Sequence, residues 1–137
     1  MTSTLVDSNV LIDVIDEASQ WFEWSSSRLK EAANTGAIVI NQVVLAEASA
    51  RFTESEAADA PAFSVFIREN LPWPAAFLAG QAHRLYRERG GPRERSLPDF
   101  LIGAHALTKQ YHLLTRDPRR YRQYFPTLDI IAPDTHP

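Results

Sequence analysis

Short apolar runs alternate along this chain with longer stretches in which apolar residues recur every three or four positions. Thr4-Leu5-Val6 carries β-branched residues and stops at Asp7, which predicts a first strand. Val10, Leu11, Val14 and Ile15 follow at helical spacing. Trp21, Trp24, Leu29 and Ala32 mark a second helix that stops near Gly36. Ala37-Ile38-Val39-Ile40 reads as a compact buried strand. Helix is expected from Gln42 to Phe52 and again from Glu54 to Asn70, with Pro61 near a break or a helix start. Leu71-Pro72-Trp73-Pro74 reads as a turn or short edge segment, Ala75 to Arg89 as a long helix, and Gly90-Gly91-Pro92 as its end. The pattern closes with a helix over Ser96 to Gln110, a strand at His112-Leu113-Leu114-Thr115, a short helix from Pro118 to Tyr124 and a strand at Leu128-Asp129-Ile130-Ile131.

Strands alternating with helices imply an α/β fold, with a mainly parallel sheet covered by helices on both faces. In such sheets ligands bind beyond the carboxyl ends of the strands. The positions that matter most are therefore Asp7 to Asn9, Asn41 to Gln42, and Thr115 to Asp117.

Composition narrows the chemistry. The 137 residues suit one domain over 1–137, with a hydrophobic fraction of 45% and a charged fraction of 23%. There is no cysteine, which excludes disulfides, Cys-ligated zinc, iron–sulfur clusters and a thiol nucleophile. A cytoplasmic home and no membrane partner are expected. Asp7, Asp13, Asp16 and Glu17 interrupt the N-terminal apolar residues, unlike a signal peptide, and no apolar run approaches the roughly 20 residues that span a bilayer. The formal charge of −3 hides an asymmetry: residues 1–83 hold four basic and eleven acidic residues, whereas residues 84–122 hold ten basic and four acidic. A basic segment in an acidic chain is a candidate polyanion site, or else a set of solvated arginines on helix faces.

Four carboxylates stand out. Asp7 ends the first strand and also suits a helix N-cap. Glu47, in Val43-Val44-Leu45-Ala46-Glu47-Ala48, is embedded among apolar and small residues, with Arg51 as a helical neighbour. Asp99 follows Ser96-Leu97-Pro98 in a capping-box arrangement, and Gly103 one turn later would leave open space beside it. Asp117 precedes Pro118 and suits either a cap or a second strand-end acid across the crevice from Asp7. Each acid has an ordinary structural explanation. Converging on one crevice, they would repel unless protonated or bound to a cation. An oxygen-only donor set selects Mg²⁺ or Mn²⁺, and the chemistry that uses it is metal-assisted phosphodiester hydrolysis.

The blocks Leu5-Val6-Asp7-Ser8-Asn9-Val10-Leu11-Ile12, Val44-Leu45-Ala46-Glu47, Leu97-Pro98-Asp99-Phe100-Leu101-Ile102-Gly103-Ala104 and Leu113-Leu114-Thr115-Arg116-Asp117 resemble the four acidic blocks of PIN-domain nucleases. Their order and spacing most resemble the VapC-type toxins of prokaryotic toxin–antitoxin pairs, over essentially the whole chain. The resemblance implies a divalent-metal-dependent endoribonuclease that leaves a 5′-phosphate and a free 3′-OH. It implies an antitoxin that occupies the active-site groove, and toxin homodimers. By it, Asp7, Glu47 and Asp99 are the main catalytic, metal-holding acids and Asp117 a more peripheral fourth. Asn9 and Thr115 match polar positions that orient the acids.

Arg116, beside Asp117, is the arginine expected nearest the scissile phosphate. Arg119, Arg120 and Arg122 follow on the short helix, where 119 and 122 share a face, so Arg116, Arg119 and Arg122 are the RNA-binding candidates. His83, His105, His112 and His136 lack zinc spacing and read as structural or solvent-facing. Trp21, Phe22 and Trp24 read as core or interface rather than a base-stacking platform. The competing readings are an RNA-binding or scaffold module of the same fold without catalysis, and a receiver-like signalling domain. The latter needs a lysine ending a late strand, whereas Lys109 precedes one.

Overall fold

The computed structural model describes residues 2–51, 64–91 and 96–137. In chain order the elements are β1 (Thr4–Val6), α1 (Ser8–Ile15), α2 (Phe22–Thr35), β2 (Ile38–Ile40), α3 (Gln42–Ser49), β3 (Ile67–Arg68), α4 (Trp73–Glu88), α5 (Ser96–Lys109), β4 (His112–Leu114), α6 (Arg119–Tyr124) and β5 (Ile130–Ile131). The strands form one parallel sheet in the order β3-β2-β1-β4-β5. Leu5 sits between Val39 and Leu113 in register, and all three are buried. Central strands covered on both faces must be apolar throughout, which is why their sequences are continuous apolar runs rather than alternating ones.

The chain moves from β1 outward to β2 and β3, then returns past β1 to β4 and β5. The order reverses between β1 and β4. Crossovers that leave a strand in opposite directions separate there and open a crevice at the carboxyl ends. Asp7 and Thr115 end the two strands that flank this reversal.

Two expectations need correction. The helix expected from Glu54 to Asn70 lies outside the described residues as far as 63. Beyond that, a turn leads into the edge strand β3 instead. Ile67 and Arg68 are both exposed, so β3 carries no burial pattern that a reading of the sequence could detect. Leu71-Pro72-Trp73-Pro74 is not an edge segment: α4 already begins at Trp73, with Pro74 in its first turn, where a missing N–H costs nothing. The other end of α4 behaves as expected, because Gly90 has a positive φ of 80°, which favours glycine. Phe100 on α5 packs against Tyr86 of α4, Tyr124 of α6 and Phe125 just beyond, with ring centroids 5.2–6.3 Å apart. This aromatic cluster fixes α6 over the crevice.

No helix among the described residues is long and apolar enough to cross a membrane.

Candidate active site

Asp7 caps α1 through Oδ1, which accepts from the Ser8 backbone N–H at 2.7 Å. Its other oxygen accepts from the Thr115 hydroxyl at 2.8 Å and the Tyr121 hydroxyl at 3.0 Å. One oxygen thus holds the helix, as the cap reading requires, and the other is held by Thr115 and Tyr121, in a residue that lines the crevice. Burial pushes the Asp7 carboxyl above its ordinary range, against the pull of these hydrogen bonds.

Glu47, on α3, accepts from the Ser8 hydroxyl at 3.0 Å. Burial and the nearby Asp7 raise its pKa, and the Ser8 bond opposes them. Asp99, on α5, receives Arg120 Nη1 at 2.6 Å. Its carboxyl is nonetheless pushed up to about 6, because burial and repulsion from Asp7 outweigh the arginine. The fields of Asp7, Asp99 and Glu47, after burial itself, also hold the Tyr121 hydroxyl well above its usual range. Across the crevice Asp7 thus raises both Glu47 and Asp99, and Glu47 adds to Asp99.

Asp117, after β4, lines the same cavity of about 460 Å³ as Asp7 and Asp99. Thr115 donates to Asp7 and accepts from Asn9 Nδ2 at 3.2 Å and from the Asp117 N–H at 3.1 Å. Asn9 Oδ1 accepts from the Arg116 N–H at 3.3 Å. Asn9 and Thr115 thus tie the loop after β4 to the start of α1.

The arginines divide differently from the sequence reading. Arg119 lines the cavity. Arg116 does not: its Nε binds Asp13 at 2.8 Å, and that buried carboxylate also accepts from Ser19 and Ser25. Arg122 is held by Asp134 at the surface. Arg120 reaches into the crevice in their place, beside Tyr86, Tyr121 and Gln123. Sharing a helical face did not select the inward residues, because α6 is pinned by Tyr121, which is buried.

Gly103 serves packing and not open space. A Cβ there would meet the Phe125 ring at 2.7 Å and Tyr121 Cδ1 at 3.0 Å. Its absence lets α6 close on α5 and bring the Tyr121 hydroxyl to Asp7.

His105 belongs to a second polar network. It is fully buried, with Nδ1 3.0 Å from Asn41 Nδ2 and Nε2 2.9 Å from Glu69 Oε1. Asn41 Nδ2 can only donate, so His105 Nδ1 accepts and the proton sits on Nε2. Asn41 Oδ1 caps α3 through the Val44 N–H, and the Tyr111 hydroxyl donates to Glu69 Oε2 at 2.7 Å. Burial raises the Glu69 carboxyl, but the bonds from His105 and Tyr111 more than offset it. The Tyr111 hydroxyl is pushed up to about 12 by its own burial and by Glu69. This network joins α3, which carries Glu47, to α5, which carries Asp99. A lone histidine on an apolar helix face was its only trace in the sequence. His105→Leu leaves the buried Asn41 Nδ2 without its acceptor, at about 1–3 kcal/mol, and removes one of the two bonds to Glu69, which keeps Tyr111. Urea denaturation should show the midpoint falling well below wild type, and an unchanged midpoint would show that the network contributes nothing.

Among the described residues, no three His, Asp or Glu side chains stand close enough, as placed, to grip one ion. The donor set still fits a hard cation. Its ligands are oxygens only, and each carboxylate makes the ionisation of its neighbours harder, a cost that a bound cation would remove.

The PIN domain family model matches residues 4–126. No curated protein is similar enough in sequence to match. Several solved structures share the fold. VapBC2 of Rickettsia felis, bound to a DNA fragment from its promoter, is 18% identical with a TM-score of 0.73, covering 94% of this chain and 97% of that one. VapC20 of Mycobacterium tuberculosis, a toxin that cleaves the sarcin–ricin loop, is 18% identical with a TM-score of 0.61, covering 88% and 95%. A toxin–antitoxin complex from Klebsiella pneumoniae is 20% identical with a TM-score of 0.59, covering 94% and 96%.

Proposed function

This chain belongs to the PIN-domain family, and on that premise we propose that it is a divalent-metal-dependent endoribonuclease toxin of the VapC type. The observation that carries the reading is the convergence of Asp7, Asp99 and Asp117 on one cavity at the reversal point of the sheet, with Glu47 joined to Asp7 through the Ser8 hydroxyl. Asp7, Glu47 and Asp99 would hold Mg²⁺ or Mn²⁺, with Asp117 as the outer acid. A bound ion of this kind would polarise the phosphodiester and activate a water for in-line attack. The protein's own part is positioning. Thr115 and Tyr121 hold one oxygen of Asp7, Ser8 holds Glu47, and Asn9 anchors the loop that carries Asp117. Arg120 pairs with Asp99 in the cavity wall, where its charge would also favour the RNA backbone.

Arg119 in the cavity wall is the first phosphate contact. Arg116, anchored at Nε by Asp13, presents the outer edge of its guanidinium, and Arg122 joins by exchanging Asp134 for phosphate. In this reading the chain is one domain over 1–137 and works in the cytoplasm. It is neutralised by an antitoxin seated in the groove, and it forms homodimers.

The test is incubation of an RNA pool with wild-type protein, with Mn²⁺ and with chelator, followed by sequencing of the RNA ends. Metal-dependent cuts bearing 5′-phosphates are expected. RNA binding without cleavage under any metal would instead favour the non-catalytic module, for which the Asp99–Arg120 pair speaks. Contacts to phosphate are read separately, on Asp7→Asn protein over a salt series. Each true contact adds about −0.7 to the log–log slope of affinity against salt. Arg119→Ala should weaken binding broadly and flatten the slope by about that amount. Unaltered affinity would place the RNA elsewhere.

A further inference from the structure

Most of what lines the crevice can recognise only what every nucleotide shares. Its carboxylates suit a cation, and Arg119 and Arg120 suit phosphate. The neutral groups are few, and three are already engaged. Ser8 donates its hydroxyl to Glu47, and Tyr121 donates to Asp7. Asn9 uses both ends of its amide, Nδ2 on Thr115 at 3.2 Å and Oδ1 on the Arg116 N–H at 3.3 Å. That leaves the Gln123 amide and the Tyr86 hydroxyl, which make no hydrogen bond among the described residues.

Gln123 is placed to reach a base. The packing of α6 assigns its residues their sides. Tyr121 is buried and Tyr124 belongs to the aromatic cluster, while Asp134 holds Arg122 outside. Arg119, Arg120 and Gln123 line the crevice. Gln123 follows Arg119 by one helical turn, which sets their Cβ atoms about 5–6 Å apart. A nucleotide whose phosphate meets Arg119 therefore has its base within reach of Gln123.

The same cavity wall offers a flat, rigid surface. The Tyr86 ring is braced edge-on by Phe100 and Tyr124, at 5.5 and 5.7 Å between centroids. The Arg120 guanidinium lies over that ring at 5.7 Å, and Asp99 holds it at 2.6 Å. Unstacked RNA bases rest on aromatic rings and guanidinium planes of this kind while hydrogen bonds read their edges.

We propose that Gln123 reads an adenine at the nucleotide beside the scissile bond, with the Arg120–Tyr86 pair as the surface its ring rests on. The amide carries an acceptor next to two donors. Adenine presents a donor at N6 beside an acceptor at N7, so two parallel hydrogen bonds form. No ionised group of the crevice can make that pair, because a carboxylate only accepts and a guanidinium only donates. Exposed glutamines are common and by themselves point to nothing. This one is set apart by its place in the cavity wall, its unengaged amide and its spacing from Arg119. The inference rests on the reading of the crevice as an RNA site, and adds the base that the site selects.

The test has two arms. In the first, short oligouridines with one central adenine or cytosine are bound to Asp7→Asn protein, so that none is cut. In the second, the ends of RNA cut by protein with its native Asp7 are sequenced. Adenine should bind about tenfold more tightly than cytosine, and cut sites should carry adenine at one fixed position beside the break. Gln123→Ala should erase both preferences. It should leave the melting temperature unchanged, since the side chain is exposed, and the salt slope unchanged, since no phosphate contact is lost. Arg119→Ala should do the reverse, flattening the slope and keeping the preference. Gln123→Glu should turn the preference toward cytosine, whose N4 amino group donates to a carboxylate. No preference, a preference for another base, or a preference that survives Gln123→Ala would overturn the proposal, and continued cleavage would leave the nuclease reading standing. An adenine preference in binding that Gln123→Ala removes, without cleavage under any metal, would uphold Gln123 as the base reader and overturn the catalytic reading.

Discussion

On the proposed reading, Asp7→Asn should lower metal-dependent RNA cleavage by about 100-fold or more and leave the chain folded. The size follows from what the substitution removes. A hard divalent cation needs anionic oxygen, and an amide keeps the shape but not the charge. Disturbing even supporting groups around a metal costs about 10- to 100-fold, so loss of the central carboxylate costs at least the upper end. The fold survives because the buried Asp7 carboxylate is itself under strain without an ion, its proton affinity raised by burial. The amide oxygen of Asn can still accept from Thr115 and Tyr121. Its NH₂ then faces the Ser8 N–H, so the cost is one helix cap, about 1 kcal/mol. The check is a single-turnover assay beside thermal unfolding. A folded variant that cuts at the wild-type rate would remove Asp7 from the site.

The metal-free protein should lose stability as pH rises from about 4 to about 6, and on the proposed reading Mg²⁺ or Mn²⁺ should restore it above that window. The direction comes from Asp99. Its carboxyl lies at about 6 in the folded chain against an ordinary value of 3.8, so between these values the folded state binds more protons than the unfolded state. Stability associated with this group is therefore present at low pH and lost on deprotonation. A displacement of that size corresponds to at most about 3 kcal/mol, and the partial exposure of Asp99 reduces it. Glu47 is displaced in the same direction. Glu69 and Asp134, whose pKa values are lowered, act oppositely at lower pH, so the informative quantity is the difference between wild type and Asp99→Asn. A cation at about 100 times its Kd adds roughly 2.7 kcal/mol to the folded state. In a Glu47→Gln, Asp99→Asn double variant, both the pH dependence and the metal-induced rise in Tm should shrink together. An undiminished metal effect there would place the ion elsewhere, and an Asp99→Asn profile parallel to wild type would remove Asp99 as the source of the slope.

The line between what the sequence determined and what tertiary structure decided follows burial. β1, β2 and β4 are legible because central strands of a parallel sheet are buried on both faces, which writes them as apolar runs ending at polar residues. The acids at their ends, Asp7 and Asp117, were legible for the same reason: such sheets bind at their carboxyl edge. β3 was not, since an exposed edge strand has no pattern of its own, and its pairing with β2 exists only once β2 is in place. Trp73 was misjudged because the prolines around it signal a break locally, while the packed alanines of α4 decide that a helix begins there. Charge and residue type marked residues 84–122 as basic, but not which arginine faces the crevice. That choice depends on partners distant in sequence: Asp13 takes Arg116 across 103 positions, Asp134 takes Arg122, and buried Tyr121 turns Arg120 inward. The same holds for His105, whose role comes from Asn41 and Glu69, 64 and 36 positions away. Local sequence specifies hydrophobic period and caps because those are interactions within a few residues. The orientation of a buried polar or charged side chain is set by whichever distant group satisfies it, since leaving it unpaired costs more than any local preference supplies.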